Sequence, residues 1–178
     1  MGTIVMVVVI GAAVAYAVWS TRKSFVIRAE REIDASPDEV WSVLVDRESY
    51  PRWNPFVLSS TGPLAEGATI TNVLADTKGG TSTFTPTVLT LSVNREFRWK
   101  GKFWLPGLFD GEHFFTIDEI APGRVRFVQE EHFRGLVVPP LRGMLRNDTL
   151  TQFRAMNDAL ANEVQLRSTS VTSMSEEN

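Results

Sequence analysis

The stretch EREIDASPDEVWSVLVDRESYPRWNP, residues 30–55, decides the fold, because it joins the end of a strand, a capped helix and a proline-containing turn. Ser36 is placed to cap a helix with Pro37 at its first position and Glu39 three residues after the cap, which is a capping-box pattern. The helix then shows an apolar stripe, formed by Val40, Trp41, Leu44 and Val45. The prolines later in the stretch prevent a long continuation, since proline lacks an amide donor.

Strands are predicted on both sides of this stretch. Residues 25–33 alternate between apolar and polar side chains, which is the period of a half-buried strand. Further segments bounded by turn residues follow at 56–60, 68–75, 81–93, 95–104, 111–120 and 124–134. Pro86 inside one segment indicates an edge or a bulge. A long amphipathic helix then opens at Pro139 and Pro140 and runs to about Leu166.

This order of elements resembles the START-like, or Bet v 1-like (SRPBCC), superfamily, and in particular its bacterial polyketide cyclase/dehydrase-type branch. The resemblance covers about residues 25–166. It is carried by SPDEVWSVLVD (36–46), YPRWNP (50–55), GEHFFTI (111–117), FRGLVVPPL (133–141) and FRAMNDAL (153–160). It implies an α+β helix-grip fold, in which a curved antiparallel sheet wraps around the long C-terminal helix and leaves a cavity for a hydrophobic small molecule.

The composition is that of one globular domain, with 43% hydrophobic and 22% charged residues over 178 positions. A net charge of −3 provides no basic stripe for a nucleic-acid partner. The absence of cysteine excludes disulfides and thiolate chemistry, and two histidines cannot build a His-rich metal site. The sequence also has no phosphate-binding glycine loop, so we expect neither a metal nor another cofactor.

The N-terminal segment predicts a membrane anchor. Residues 2–19 carry no charge, and about 18 residues of helix rise roughly 27 Å, close to a bilayer core of about 30 Å. Arg22 and Lys23 follow directly, which places the domain on the cytoplasmic side of a single-pass protein. A cleaved signal peptide is the alternative, although no Lys or Arg precedes the apolar run. The predicted units are therefore an anchor at 1–23, a helix-grip domain at 24–167 and a disordered tail at 168–178.

The hairpin around Pro122 and Gly123 offers the candidate polar site. A turn centred there pairs three residues of each strand on one face: Ile117 with Phe127, Phe115 with Gln129, and His113 with Glu131. His113 and Glu131 could then act as an acid/base pair or as a polar anchor for a ligand. They could also simply satisfy each other as buried polar groups, and a slip of one residue would pair His113 with Glu130 or His132 instead.

The sequence therefore predicts a membrane-tethered domain that binds a hydrophobic small molecule such as a lipid, an isoprenoid or a polyketide-like compound. The alternatives are a cyclase or dehydratase that uses His113 and Glu131, and a protein-interaction module. The predicted ligand-binding residues are Trp53, Trp99, Phe103, His113, Phe115, Gln129, Glu131 and Phe153. For the aromatic members, plain core packing is the competing interpretation.

Overall fold

An antiparallel sheet and a long C-terminal helix frame the domain in the computed structural model. The structure describes residues 2–103, 105 and 107–176, with the backbone alone at 2–4, 7, 102, 103 and 171–176. The helices are α1 (Gly2–Arg22), α2 (Pro37–Val45), α3 (Tyr50–Trp53) and α4 (Val138–Glu176), with a 3₁₀ turn at Arg47–Ser49. The strands are β1 (Phe25–Ile33), β2 (Val57–Thr61), β3 (Thr71–Ala75), β4 (Thr81–Phe84), β5 (Thr87–Ser92), β6 (Glu96–Phe103), β7 (Phe109–Ala121) and β8 (Arg124–Arg134).

The capping box predicted at the start of α2 is confirmed. The Ser36 hydroxyl accepts a hydrogen bond from the Glu39 amide at 3.3 Å, and a Glu39 carboxylate oxygen accepts one from the Ser36 amide at 2.8 Å. Two of the amides that a helix start leaves unpaired are thereby satisfied. The apolar stripe of α2 then enters the core, where Val40, Trp41 and Leu44 are buried.

The strands form two antiparallel sheets. Five strands pair in the order β1-β8-β7-β6-β5, and three pair in the order β2-β3-β4. A bridge between Thr69, which precedes β3, and Thr87 of β5 connects the two sheets. The prediction of one strand over 81–93 is wrong, because the chain breaks at Pro86 into β4 and β5. Proline has no amide proton for a ladder, and the Pro86 carbonyl instead accepts from the Ile70 amide at 3.0 Å.

The register predicted for the β7–β8 hairpin is confirmed. His113 lies opposite Glu131, and Phe115 lies opposite Gln129. The inward side chains of the hairpin are buried at Phe115, Ile117, Phe127 and Gln129. The hairpin therefore presents one continuous inner face toward α4.

Helix α4 packs along that inner face. Phe153, Met156, Leu160 and Val164 are all buried, at the helical spacing that the sequence predicts. The predicted end near Leu166 is wrong, since α4 continues to Glu176 and includes the described part of the predicted disordered tail. The Ser168 hydroxyl donates to the Glu39 carboxylate at 2.9 Å, so this end of α4 is held against the start of α2.

Helix α1 meets the domain at the turn between β8 and α4. The Tyr16 hydroxyl donates to the Leu136 carbonyl at 2.9 Å, and the Gly135 amide donates to the Ser20 carbonyl at 3.2 Å. The Arg142 guanidinium lies 5.5 Å from the Trp19 ring centroid. Of the helices in the described part of the chain, none has both the length and the apolar character needed to cross a membrane.

The Glu39 carboxylate generates a prediction about pH and stability. Hydrogen bonds from the Ser36 amide, the Ser36 hydroxyl and the Ser168 hydroxyl hold the pKa of Glu39 below its ordinary value of 4.5. A lowered pKa in the folded state stabilises the protein above the unfolded pKa, and this contribution is lost as the pH falls through the folded value. We expect Glu39→Gln to lower the free energy of unfolding by about 0.3–1 kcal/mol at pH 7, with the difference from wild type vanishing in acid.

Urea unfolding of the wild type and of Glu39→Gln from pH 7 to pH 3 measures the difference in their free energies of unfolding. Glu119→Gln, which neutralises an exposed carboxylate on β7, is the matched control and should leave the free energy of unfolding unchanged. A Glu39→Gln deficit of the same size at every pH would contradict the prediction.

Candidate functional site

A cavity of about 510 Å³ lies between α4 and the inner faces of β3, β4, β6, β7 and β8. Its volume falls in the range of about 300–1,000 Å³ that is typical of small-molecule sites. Most of the lining is apolar and aromatic: Phe56, Leu74, Phe84, Trp99, Leu108, Phe109, Phe133, Val137, Leu141, Met144, Leu145 and Phe153. The cavity is therefore suited to a ligand with a largely apolar body.

Two simple periodicities bring these residues to the cavity. On α4, positions 141, 145, 149 and 153 lie four residues apart, so their side chains share one helical face. On β7, positions 109, 111 and 113 alternate with outward residues, so they share one face of the strand. The helix and the strand thus form opposite walls.

Two glycines make room inside the sheet. The Phe84 ring lies over Gly101 of β6, in the space that a Cβ atom at that position would occupy. A carboxylate oxygen of Glu131, Oε1, lies in the same way over Gly111 of β7. Any larger residue at either position would displace a side chain that lines the cavity.

A polar network lies at the cavity wall. Nδ1 of His113 is 2.5 Å from Oε2 of Glu131, and Nε2 of His113 is 3.2 Å from the amide nitrogen of Gln129. Since an amide NH₂ only donates, Nε2 of the imidazole accepts and Nδ1 carries the proton that is donated to Glu131. Both ring nitrogens of His113 are therefore engaged within the protein.

Aromatic rings hold the imidazole in place. The Trp99 ring stacks on His113 with centroids 4.7 Å apart and planes 17° from parallel. The Phe153 ring meets it edge-on at 5.0 Å. The His113 side chain is only 3% exposed, whereas the Glu131 side chain is 13% exposed. The carboxylate is consequently the more accessible member of the pair.

The cavity brings together four of the residues predicted from the sequence, namely Trp99, His113, Glu131 and Phe153. Phe115 and Gln129 are fully buried behind that wall and do not line it. Trp53 also does not line it, because its ring packs edge-on against Tyr50 and its indole NH donates to Ser49 at 2.9 Å. The Phe103 side chain lies outside the described residues.

Sequence reasoning missed much of the apolar lining. Leu141 and Leu145 carried a usable signal, since both lie on the same predicted helical stripe as Phe153. Phe109 shares a face with His113 but precedes the predicted start of its strand at 111. Residues from β3, β4 and the loop before β7 gave no local signal, because only the folded chain brings them to α4. In the described residues, no group of three His, Asp or Glu side chains is placed to hold a metal ion.

The comparisons with known proteins agree with this architecture. Residues 24–165 match the family described as polyketide cyclase/dehydrase and lipid transport. Among curated proteins, none matches the chain.

Several solved structures share the fold at low sequence identity. The Zhui aromatase/cyclase from Streptomyces sp. R1128 is 17% identical with a TM-score of 0.68, and the match covers 82% of this chain and 96% of that one. A START superfamily protein from Mycobacterium smegmatis is 20% identical with a TM-score of 0.58, covering 81% and 99%. Norcoclaurine synthase from Thalictrum flavum, in complex with dopamine and hydroxybenzaldehyde, is 13% identical with a TM-score of 0.64, covering 82% and 88%.

The packing at Gly101 generates a prediction about stability. We expect Gly101→Ala to lower the free energy of unfolding by about 1–3 kcal/mol, because the new methyl group displaces the Phe84 ring. Gly143→Ala is the matched control. Gly143 is an exposed position of α4, and a Cβ atom there meets nothing within 4 Å. That control should raise the free energy of unfolding by up to about 1 kcal/mol through its helix propensity. Urea unfolding measures the free energy of unfolding of both variants. If both substitutions changed it in the same direction, the close packing of Phe84 on Gly101 would be contradicted.

Proposed function

The chain belongs to the polyketide cyclase/dehydrase and lipid transport family, and on that premise we propose that it is a binding protein for a hydrophobic small molecule. The observation that carries this proposal is the apolar cavity of about 510 Å³ between the sheet and α4. Burial of apolar surface contributes roughly 25 cal/mol per Å², so a cavity lined by aromatic rings gives affinity without specific polar chemistry.

The geometry of the polar network supports binding over acid/base catalysis. A general base needs a nitrogen or oxygen within hydrogen-bond reach of the proton that it removes. In His113 one ring nitrogen donates to Glu131 and the other accepts from Gln129, while the ring is stacked under Trp99. The imidazole therefore acts as a support that orients Glu131, and the carboxylate acts as the polar anchor at the cavity wall.

The similar structures support a cavity for small molecules. One of them is an aromatase/cyclase, and another was solved with dopamine and hydroxybenzaldehyde. From these two structures we take only a proposal about the size of the ligand. A cavity of about 510 Å³ is large enough for an aromatic compound of one to three rings.

Filling the cavity should abolish binding. We expect Leu145→Trp to reduce cavity binding of the neutral probe N-phenyl-1-naphthylamine at least tenfold, because the indole occupies the space of the ligand. Leu166→Trp introduces the same side chain at a 65% exposed position of α4 and should bind like wild type. Binding to the full chain in phosphatidylcholine nanodiscs, measured by fluorescence titration with the signal of empty nanodiscs subtracted, makes the comparison. Equal binding by wild type and Leu145→Trp would refute the proposal.

We also propose that residues 2–19 attach the domain to a membrane, in the single-pass arrangement with a cytoplasmic domain that the sequence predicts. The described helices include none that qualifies as a membrane span, so this proposal rests on the uncharged sequence of the whole segment. Two observations support this. Aliphatic side chains along α1 are exposed, at Val5, Met6, Val8, Val9, Ile10 and Val14, and the basic residues Arg22 and Lys23 follow them. The base of α1 contacts the turn at Leu136, next to Val137 and Leu108 of the cavity lining. A ligand leaving a bilayer would therefore meet the cavity close to the attachment point.

Removal of residues 1–24 tests the attachment. We expect the full chain to remain with membranes after carbonate extraction, whereas the shortened chain moves to the soluble fraction. A full-length variant with Val9→Asp and Val14→Asp should also become soluble, since a charge in a lipid-facing helix costs about 2.5–3.5 kcal/mol at the bilayer centre. Membrane association that is unchanged by the deletion, or a purified chain whose mass shows that the N-terminal segment has been cleaved, would contradict it.

A further inference from the structure

We propose that the cavity selects ligands that carry a hydrogen-bond donor, preferring an amine to an alcohol, and that it rejects carboxylates. This inference rests on the proposed binding function and specifies the chemical class of the ligand. It rests on the charged residues of the cavity lining, which are all acidic, and on the carboxylate oxygen that Glu131 holds at the wall. The neutral polar groups of the lining, at Thr77, Ser82, Thr149 and Gln152, can donate as well as accept and do not set this preference.

The charged residues of the lining are acidic. They are Asp76, Glu131 and Asp148, and no Lys or Arg is found among the lining residues that the structure describes. The nearby arginines of α4 are directed elsewhere, with Arg142 over the rings of Trp19 and Phe25 and Arg146 over Phe25. An anionic ligand would thus enter an apolar space with no described basic side chain to pair with it.

Glu131 offers an acceptor to the ligand. Its Oε2 is occupied by the His113 N–H, while its Oε1 lies over Gly111, which itself lines the cavity. The His113 ring cannot supply a donor in exchange, since its N–H already points to Glu131 and its other nitrogen accepts from Gln129. An ionised carboxylate only accepts hydrogen bonds, so its complement is a donor on the ligand.

Asp76 strengthens the same preference at the edge of the cavity. Its Oδ1 accepts from the amides of Lys78 and Gly80 at 2.7 and 2.8 Å. Hydrogen bonds from the Gly80 and Lys78 amides hold the pKa of this carboxyl below its ordinary value. Asp76 is exposed, so water screens its charge, and its repulsion of a ligand carboxylate adds only modestly to that of Glu131.

Three probes that share one ring system test the inference: 1-naphthylmethylamine, 1-naphthalenemethanol and 1-naphthoic acid. At pH 7 they present a cation, a neutral hydroxyl and an anion on nearly the same apolar body. Isothermal titration of the full chain in phosphatidylcholine nanodiscs measures each affinity. Subtracting the signal of Leu145→Trp in identical nanodiscs removes partition into lipid and leaves the cavity component.

We expect the amine to bind at least tenfold more tightly than the acid, with the alcohol between them. Acid binding as tight as amine binding would overturn the inference while leaving the binding function intact. If none of the probes shows a cavity component, the proposed function fails and the inference fails with it. The two failures are therefore distinguishable from the wild-type titrations once the Leu145→Trp signal has been subtracted.

Glu131→Gln tests the residue assigned to the ligand. It removes the charge and adds a donor, so the preference for amine over acid should fall at least fivefold. Asp118→Asn is the matched control, because it neutralises an exposed carboxylate of β7 that does not line the cavity. It should leave the ranking unchanged. A preference that survives Glu131→Gln, or one that Asp118→Asn reduces equally, would overturn the assignment to Glu131.

Discussion

The antiparallel pairing of β7 with β8 fixes which side chains face α4, and the remainder of the site depends on that pairing. Because successive side chains alternate across a strand, a shift of one residue would turn the whole inner face outward. The observed register places His113 opposite Glu131 and Phe115 opposite Gln129. The same register therefore places both the aromatic wall and the polar network of His113, Gln129 and Glu131 on the inner face of the sheet.

A buried polar group destabilises a protein unless it is hydrogen-bonded, and the cavity wall satisfies that requirement asymmetrically. His113 has a partner at each ring nitrogen, and Trp99 covers its face. Glu131 is bound through one oxygen and holds the other over Gly111. The imidazole is therefore a fixed support, and the carboxylate is the group that a ligand can reach. This division of roles is the physical basis for the proposal that the site binds ligands selectively.

The cavity exists because the side chains of α4 fill the space against the sheet along only part of the helix. Beyond the cavity, Met156, Leu160 and Val164 of α4 are buried in a core cluster with residues of the sheet and α2. Toward the N-terminal half of α4, Leu141 and Leu145 are only partly buried and line open space. The helix is anchored at its far end by Arg167, whose guanidinium contacts Asp46 at 2.9 Å. The space between the sheet and the C-terminal part of α4 is thus filled by side chains, whereas the space beside the N-terminal part of α4, near α1, remains open as the cavity.

Local signals in the sequence determined the elements with short-range causes. The capping box at Ser36 and the turn at Gly123 each depend on neighbours within a few residues, as does the amphipathic stripe around Phe153. Pro86 signalled an irregularity, but the full break between β4 and β5 was not predicted. The β7–β8 register was predictable for the same reason, since a tight turn leaves little freedom in how its two strands align.

Only the tertiary structure decided how those elements combine into a site. Phe56, Leu74 and Phe84 reach the cavity from segments far apart in the chain, and no local pattern encodes that meeting. The end of α4 beyond Leu166 also has a long-range contact, between Ser168 and Glu39. The sequence by itself determined the pattern of each face, because side-chain periodicity is a property of the local backbone. The cavity and the position of Glu131 Oε1 over Gly111 were decided by tertiary packing, because they depend on the space between elements.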